Sequence, residues 1–255
     1  MPPANTNLQL ATEDDAPTLA SIMTAAFSAS DAAYPLIWGS APEGTHDSMS
    51  IIGLFSPVQR SDRVTYKAVD EEAKKVVGFA TWGLPKVLAK DDKERGKKEE
   101  GGLPPIPGVN VDLWMDKVGG TRVYSARDVD VEKDMGRLSS KVRVEHLRRM
   151  IIKDHYVSIS SENSNVDSNV ADLTFCFVHP QYQRQGIASS LLELGTQEAD
   201  RRKAKFWCTS TPQAVTTYEK SEWKVVETHD VDLGLYGGKG VYTRSWMVRE
   251  PKMID

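Results

Sequence analysis

The fold is decided by residues 173–192, which have the sequence LTFCFVHPQYQRQGIASSLL. Residues 173–178 form an apolar run rich in aromatic and β-branched side chains, and the run stops before Pro180, so it predicts a buried strand. From Ile187 onward the apolar residues recur at helical spacing, which predicts a helix. Gly186 lies where the strand turns into this helix. Because a helix N-terminus presents unpaired N–H groups and a glycine lets a ligand approach the backbone, the turn is predicted to bind a phosphate.

The turn differs from the two commonest nucleotide-binding loops. No Gly-Lys-Ser/Thr follows it, and it lacks the three spaced glycines of the dinucleotide fingerprint. It resembles motif A of the GNAT superfamily of acyl-CoA-dependent N-acetyltransferases, whose signature is Gln/Arg-x-x-Gly-x-Gly/Ala. Gln183, Gly186 and Ala188 match that signature, and Val178-His179-Pro180 precedes it as in many members.

This resemblance implies that acetyl-CoA is the cosubstrate and that it binds where the strand ends and the helix begins. The family uses a strand backbone N–H, here of Phe177 or Val178, to polarise the acyl carbonyl. The residues expected to bind the cofactor are Phe177, Val178, Gln183, Arg184, Gln185, Gly186, Ile187, Ala188 and Ser189.

A second stretch, Tyr218-Glu219-Lys220 followed by Trp223, resembles the family's Tyr-Glu-Lys-x-Gly-Phe. The resemblance implies that Tyr218 is the general acid that protonates the departing thiolate. A tyrosine that only packs against the cofactor tail is the alternative. Glu222 stands where the family usually has glycine, which puts the local turn geometry in question.

Asp172 begins the decisive strand, at a position where histone-type members carry the carboxylate that deprotonates the amine. A solvated aspartate at a strand end is the alternative interpretation. Counting with a period of two places Asp172, Thr174, Cys176 and Val178 on one face of the strand. Cys176 is not expected to be a nucleophile, because transfer in this family is direct and no activating partner is evident.

The predicted fold class is mixed α/β, a GNAT fold with a central, mostly antiparallel, splayed sheet flanked by helices. Residues 1–255 are expected to form a single acetyltransferase domain that contains an insertion of loop and helix at 85–156. Hairpins are predicted for residues 63–84 and 223–248, and helices for residues 16–27 and 45–55. The insertion and the tail around Tyr218 also resemble family members of fungal type.

Three further side-chain groups bear on the site. Trp82 either lines the acceptor site or belongs to the core. His46 is expected to be a surface or capping histidine. A basic helix over residues 127–153, with Arg143, Arg148 and Arg149, either contacts the cofactor's 3′-phosphate or faces solvent.

Composition sets the remaining bounds. The chain has 255 residues, a net charge of −4 and two cysteines. We therefore expect no disulfide framework and no nucleic-acid partner. The first residues lack a basic flank and an apolar core, and no apolar run approaches membrane-spanning length, so a cytoplasmic protein without a membrane partner is expected. No Cys/His spacing suggests a metal site. The oligomeric state is open.

The expected activity is direct transfer of an acetyl group from acetyl-CoA to a primary amine of a small molecule or peptide. Two alternatives remain: a catalytically silent CoA-binding or regulatory protein of the same fold, and an acyltransferase with another acyl donor or a hydroxyl acceptor.

Overall fold

The structure is a computed structural model and describes residues 5–83, 106–119 and 170–252. Its strands are β1 (Thr6–Leu10), β2 (Arg63–Asp70), β3 (Lys75–Gly83), β4 (Val170–Val178), β5 (Lys205–Ser210), β6 (Lys224–Asp232) and β7 (Val241–Arg249). Its helices are α1 (Ala16–Ser30), α2 (Tyr34–Trp38), α3 (Thr45–Leu54), α4 (Val111–Gly119), α5 (Ile187–Arg202) and α6 (Val215–Glu219). Short 3₁₀ turns lie at Glu13–Asp15, Pro180–Tyr182 and Leu233–Tyr236.

The strands form one seven-stranded sheet in the order β1-β2-β3-β4-β5-β7-β6. Every neighbouring pair is antiparallel except β4 and β5, which are parallel. The predicted fold class, a mixed α/β architecture with a mostly antiparallel sheet flanked by helices, is confirmed.

Helices cover both faces of the sheet, and a hydrophobic core lies on each face. On one face, Ile187, Leu191 and Leu192 of α5 pack with Trp82 and Leu173 of the sheet. On the other, apolar residues of α1 and α3 pack on Phe79, namely Leu19, Ala20, Ile22, Met23 and Leu54. The helical spacing of these residues puts them on one side of each helix, which is why the helices lie flat on the sheet.

A β-bulge at Thr174 separates β4 from β5. Leu173 pairs with Trp82 of β3 and Phe175 pairs with Thr81, so Thr174 has no pairing partner on β3. The pairing of β4 with β5 ends at Leu173 and Cys208. An extra residue bends a strand and increases its twist. The carboxyl-terminal half of β4 therefore leaves β5, and a cleft opens between the two parallel strands.

Both predicted hairpins are confirmed, as β2–β3 and β6–β7. Both predicted helices are confirmed as α1 and α3. The basic helix at 127–153 lies outside the described residues, and only 106–119 of the proposed insertion is described. The single-domain organisation stays a prediction. Within 5–83, 106–119 and 170–252, no helix is both long and apolar enough to cross a membrane.

Candidate functional site

The turn between β4 and α5 has the backbone geometry expected of an anion-binding loop. Gly186 caps α5 with φ 84°, and no atom lies within 4 Å of the position a Cβ would take. Arg184 also has a positive φ, of 64°. Gln183 ties the turn to the strand, because its Nε2 donates to the carbonyl of Val178 at 3.0 Å. The backbone at the start of α5 is thus unobstructed at Gly186, and a helix N-terminus with an approachable backbone fits a phosphate group.

The register of β4 decides which backbone groups face the cleft. The N–H of His179 donates to the carbonyl of Val77 at 2.8 Å, which makes Val178 and Gly78 a non-hydrogen-bonded pair. By the alternation of an antiparallel ladder, the N–H of Phe177 points to Phe79 of β3. The N–H groups of Cys176 and Val178 point away from β3, toward the cleft beside β5. Of the two strand donors expected from the sequence, the register leaves Val178 available and commits Phe177 to the ladder.

Tyr218 of α6 lies at the floor of this cleft. It is buried in the core on the α5 face, and its ring packs on Trp223 with centroids 5.9 Å apart. Burial raises the pKa of Tyr218 well above its usual value, and the nearby thiols of Cys176 and Cys208 raise it further. The phenol therefore keeps its proton across the physiological pH range and lies beside both diverging strands.

Asp172 occupies the other face of the sheet, so the expectation that it shares a face with Cys176 and Val178 is wrong. The bulge at Thr174 reverses the alternation, and Asp172 pairs with Gly83 while Cys176 pairs with Ala80. Thr174 Oγ1 donates to Asp172 Oδ2 at 2.7 Å. Burial raises the pKa of Asp172, while the hydrogen bond from Thr174 and the charge of Arg63 lower it.

Asp172 is thus half-buried, and it is not adjacent to the cleft groups of Cys176. Their partners on β3, Gly83 and Ala80, are three positions apart, so Asp172 and Cys176 lie about 10 Å apart along the sheet at 3.3 Å per residue. A base at this distance acts on an amine near Cys176 only through intervening water.

Two further polar groups near the turn, Cys176 and His179, have structural roles. Burial raises the pKa of the Cys176 thiol to about 12, which fits the expectation that it is not a nucleophile. The Nδ1 of His179 accepts a hydrogen bond from the N–H of Gln181 at 3.4 Å, so this histidine caps the short turn. In the part of the chain that the structure describes, no three His, Cys, Asp or Glu side chains are grouped to hold a metal ion.

Glu222 forms the turn that glycine usually forms in the family. Its φ is 68°, and the N–H of Trp223 still bonds to the carbonyl of Tyr218 at 3.1 Å. The departure from the family pattern therefore leaves the turn intact and places a non-glycine residue in the left-handed region.

The structure shows the surroundings of Trp82 and His46. Trp82 belongs to the core, with 3% of its surface exposed and its ring stacked on Phe206 at 5.1 Å. His46 is a partly buried histidine whose ring lies within 6.1 Å of the rings of Phe27, Tyr34 and Trp38. The sequence shows several aromatic residues over 27–46, but their spacing alone does not predict that they surround one histidine.

The cleft between the diverging parallel strands has an open helix N-terminus at its mouth, an arrangement suited to a ligand that carries a phosphate. Residues 139–236 match the family model described as the acetyltransferase (GNAT) domain, and this is less than half of the chain. The matched segment contains β4, the turn, α5 and Tyr218. The resemblance to a GNAT acetyltransferase domain is confirmed for this segment, whereas the likeness to fungal members stays a prediction.

Solved structures that match this chain have low sequence identity to it. One is a structure titled histone acetyltransferase HPA2 and related acetyltransferase from Corynebacterium glutamicum, 14% identical, with a TM-score of 0.49 and 98% of each chain covered. An N-acetyltransferase from Staphylococcus aureus is 14% identical, with a TM-score of 0.49, covering 98% of this chain and 100% of its own. The ribosomal-protein-S18-alanine N-acetyltransferase from Escherichia coli is 12% identical, with a TM-score of 0.45 and coverage of 98% and 96%. A search of curated proteins finds no match.

Proposed function

We propose that this protein is an acetyl-CoA-dependent N-acetyltransferase that transfers an acetyl group directly to a primary amine of a small molecule or peptide. The observation that carries the proposal is the cleft that opens after Leu173 and Cys208, with the Gly186 turn at its mouth and Tyr218 at its floor. Acetyl-CoA would supply an acyl group already activated as a thioester. The match of residues 139–236 to the acetyltransferase domain supports the same chemistry.

Cofactor binding is assigned to the turn and the strand end. The N–H groups at the start of α5 and the open face of Gly186 would hold the pyrophosphate, as helix N-termini hold phosphates elsewhere. The cleft-facing N–H groups of Cys176 and Val178 would bind carbonyl oxygens of the cofactor along the strand. A backbone donor fixed in this way is already oriented for the charge that develops on the acyl oxygen.

Proton transfer is assigned to two side chains on opposite faces of the sheet. Tyr218 lies on the α5 face and holds a proton that it can donate to a departing thiolate. Asp172 lies on the α1 face and would accept a proton from the amine through water. This division lets the cofactor and the amine approach the strand from different sides.

Calorimetric titration of the full chain with acetyl-CoA, followed by thiol release against a panel of primary amines, tests the proposal. Saturable binding and thiol release with an amine are the expected result. Binding without release for any amine would favour a silent CoA-binding protein. The absence of binding would overturn the assignment of the Gly186 turn.

A further inference from the structure

A row of aromatic rings begins beside the cleft and runs outward on the α1 face of the sheet. Phe177 lies next to Val178 on β4, and its ring centroid is 4.9 Å from that of Phe27. The row continues from Phe27 to His46 at 6.1 Å and from His46 to Trp38 at 4.7 Å. It ends at Trp114 of α4, 5.0 Å from Trp38. We call these five residues, Phe177, Phe27, His46, Trp38 and Trp114, the aromatic row.

The aromatic row is distinct from the core beneath it. Each of its five side chains is only partly buried. The core aromatics on the same face, Phe55 and Phe79, are 1% and 0% exposed. Partly exposed rings at the edge of a cleft can contact a flat apolar group, and rings pair with rings at the spacings found in this row.

His46 adds one polar atom to the aromatic row, and its tautomer follows from its neighbours. Thr24 Oγ1 lies 2.5 Å from His46 Nδ1 and also donates to a carboxylate oxygen of Asp47. A hydroxyl has one proton, and a carboxylate only accepts, so the proton of Thr24 goes to Asp47. Nδ1 of His46 must then carry its own proton and donate to Thr24. Nε2 is left with a lone pair, and no residue in 5–83, 106–119 or 170–252 donates to it.

A cation beside the aromatic row, Lys117, is already paired. Lys117 Nζ lies 5.2 Å from the ring centroid of Phe27 and 2.6 Å from Asp31 Oδ2. This fixed ammonium disfavours a second cation against Phe27. The rings therefore suit the neutral, planar part of a ligand, and Nε2 of His46 suits its N–H donor.

We propose that the aromatic row is the acceptor-binding site and selects a primary amine carried on an aromatic ring, with Nε2 of His46 accepting a hydrogen bond from the amine. The inference rests on the proposed function for the meaning of "acceptor", and it names the substrate class of that same site. The row starts beside the cleft-facing N–H of Val178, so an amine held along it lies on the α1 face of β4, opposite Tyr218.

Calorimetric titration of the full chain with 2-phenylethylamine and with n-butylamine, each with and without saturating CoA, tests the inference. The two amines share the amino group and differ in the ring. 2-Phenylethylamine is expected to bind about tenfold more tightly, from ring stacking and apolar burial. Equal affinity for the two amines, or no binding of either, overturns the proposal.

Variants separate the ring contact from the hydrogen bond. Trp38→Ala is expected to abolish the preference for 2-phenylethylamine and leave n-butylamine binding unchanged. His46→Phe keeps a ring in place and removes the acceptor atom, so it is expected to weaken both amines by a similar factor of about five to ten. Ile52→Ala, at an exposed position on the same helix as His46, is the control and is expected to change neither amine.

The failure of the inference is distinguishable from failure of the proposed function. Acetyl-CoA affinity is measured on the same wild-type and Trp38→Ala samples, and it is expected to be the same in both. An undiminished preference in Trp38→Ala overturns the aromatic row as the acceptor site even when acetyl-CoA binds. Loss of acetyl-CoA binding overturns the Gly186 site and leaves the amine titrations without CoA to decide the inference.

Discussion

The indole of Trp82 on β3 lies directly against Gly195 of α5. A Cβ at Gly195 would come within 2.3 Å of Cε2 and Cζ2 of the indole, a distance that side-chain carbons essentially never show. Phe206 stacks on the same indole at 5.1 Å, and Trp223 stacks on Phe206 at 6.1 Å. The contact between Trp82 and Gly195 thus sets how closely α5 approaches the sheet, and with it the position of the helix N-terminus.

Gly195→Ala is expected to destabilise the protein by about 2–3 kcal/mol, because overpacking forces a backbone shift or an off-rotamer indole. The measurement is the free energy of unfolding in urea. Gly53→Ala is the matched control, since Gly53 is also helical but has no atom within 4 Å of its Cβ position. That variant is expected to be neutral or up to about 1 kcal/mol more stable, from helix propensity alone. Equal unfolding free energies for the two variants would contradict the packing argument.

Much of the fold was predictable from local sequence patterns. The turn at Gly186, the apolar run of β4 and the helical spacing of α5 depend on residues close together in sequence, and all three are present as predicted. The β2–β3 and β6–β7 hairpins were predictable for the same reason, because each pairs strands joined by a short connection.

The incorrect prediction for Asp172 has its cause in long-range strand pairing. The bulge at Thr174 exists because β4 pairs with β3 in a shifted register, and this shift moves Asp172 to the α1 face. A period-two count has no means of including an extra residue. The surroundings of His46 likewise depend on how α1, α2 and α3 pack together, so its sequence neighbours predicted only a surface or capping role.

Gly186→Glu is expected to weaken acetyl-CoA binding by at least about a hundredfold, because it places bulk and negative charge where a phosphate is proposed to lie. Titration calorimetry measures the change. Gly237→Glu is the matched control, since Gly237 has φ 81° and equally open surroundings but lies in the β6–β7 connection. Both variants bear the strain of a side chain at positive φ, about 1 kcal/mol. An unchanged affinity in Gly186→Glu would remove the turn from the binding site.

Tyr218→Phe is expected to lower turnover about a hundredfold while leaving acetyl-CoA affinity nearly unchanged, since only the proton donor is removed. Steady-state thiol release with separate kcat and KM values measures this. Because burial raises the pKa of Tyr218 well above its usual value, the wild-type rate should show no loss from its ionisation up to about pH 9. Tyr66→Phe, on β2, is the control. Equal kcat values for Tyr218→Phe and wild type would exclude the acid role.

Glu222→Gly is expected to stabilise the protein by about 0.5–1 kcal/mol. Glycine relieves the left-handed backbone at φ 68°, which costs other residues about 1 kcal/mol or more. The ion pairs of Glu222 with Lys252 at 2.8 Å and with Arg249 at 4.0 Å are lost, but the Glu222 side chain is 58% exposed. Exposed pairs contribute little. Lys252→Ala serves as control for that loss, and a Glu222→Gly variant less stable than it would contradict the strain argument.

Because His46 is partly buried, the stability of the protein is expected to decrease as the pH falls. Burial lowers the pKa of His46 to about 4, with opposing attraction from Asp47 and added repulsion from Lys117. The unfolded chain binds the proton near pH 6.5 and the folded protein only near pH 4, so stability is complete above pH 6.5 and is lost as the pH falls toward 4. Allowing for partial exposure, the loss attributable to His46 is about 2 kcal/mol.

The measurement for His46 is the free energy of unfolding between pH 4 and 8 for wild type and His46→Phe. Carboxylates change stability over the same range in both proteins, so the difference between the two curves isolates the histidine. Wild type is expected to lose about 2 kcal/mol more than His46→Phe as the pH falls from 7 to 4. Parallel curves would mean that the imidazole is solvated, and they would also remove the fixed tautomer on which its hydrogen bond to an amine depends.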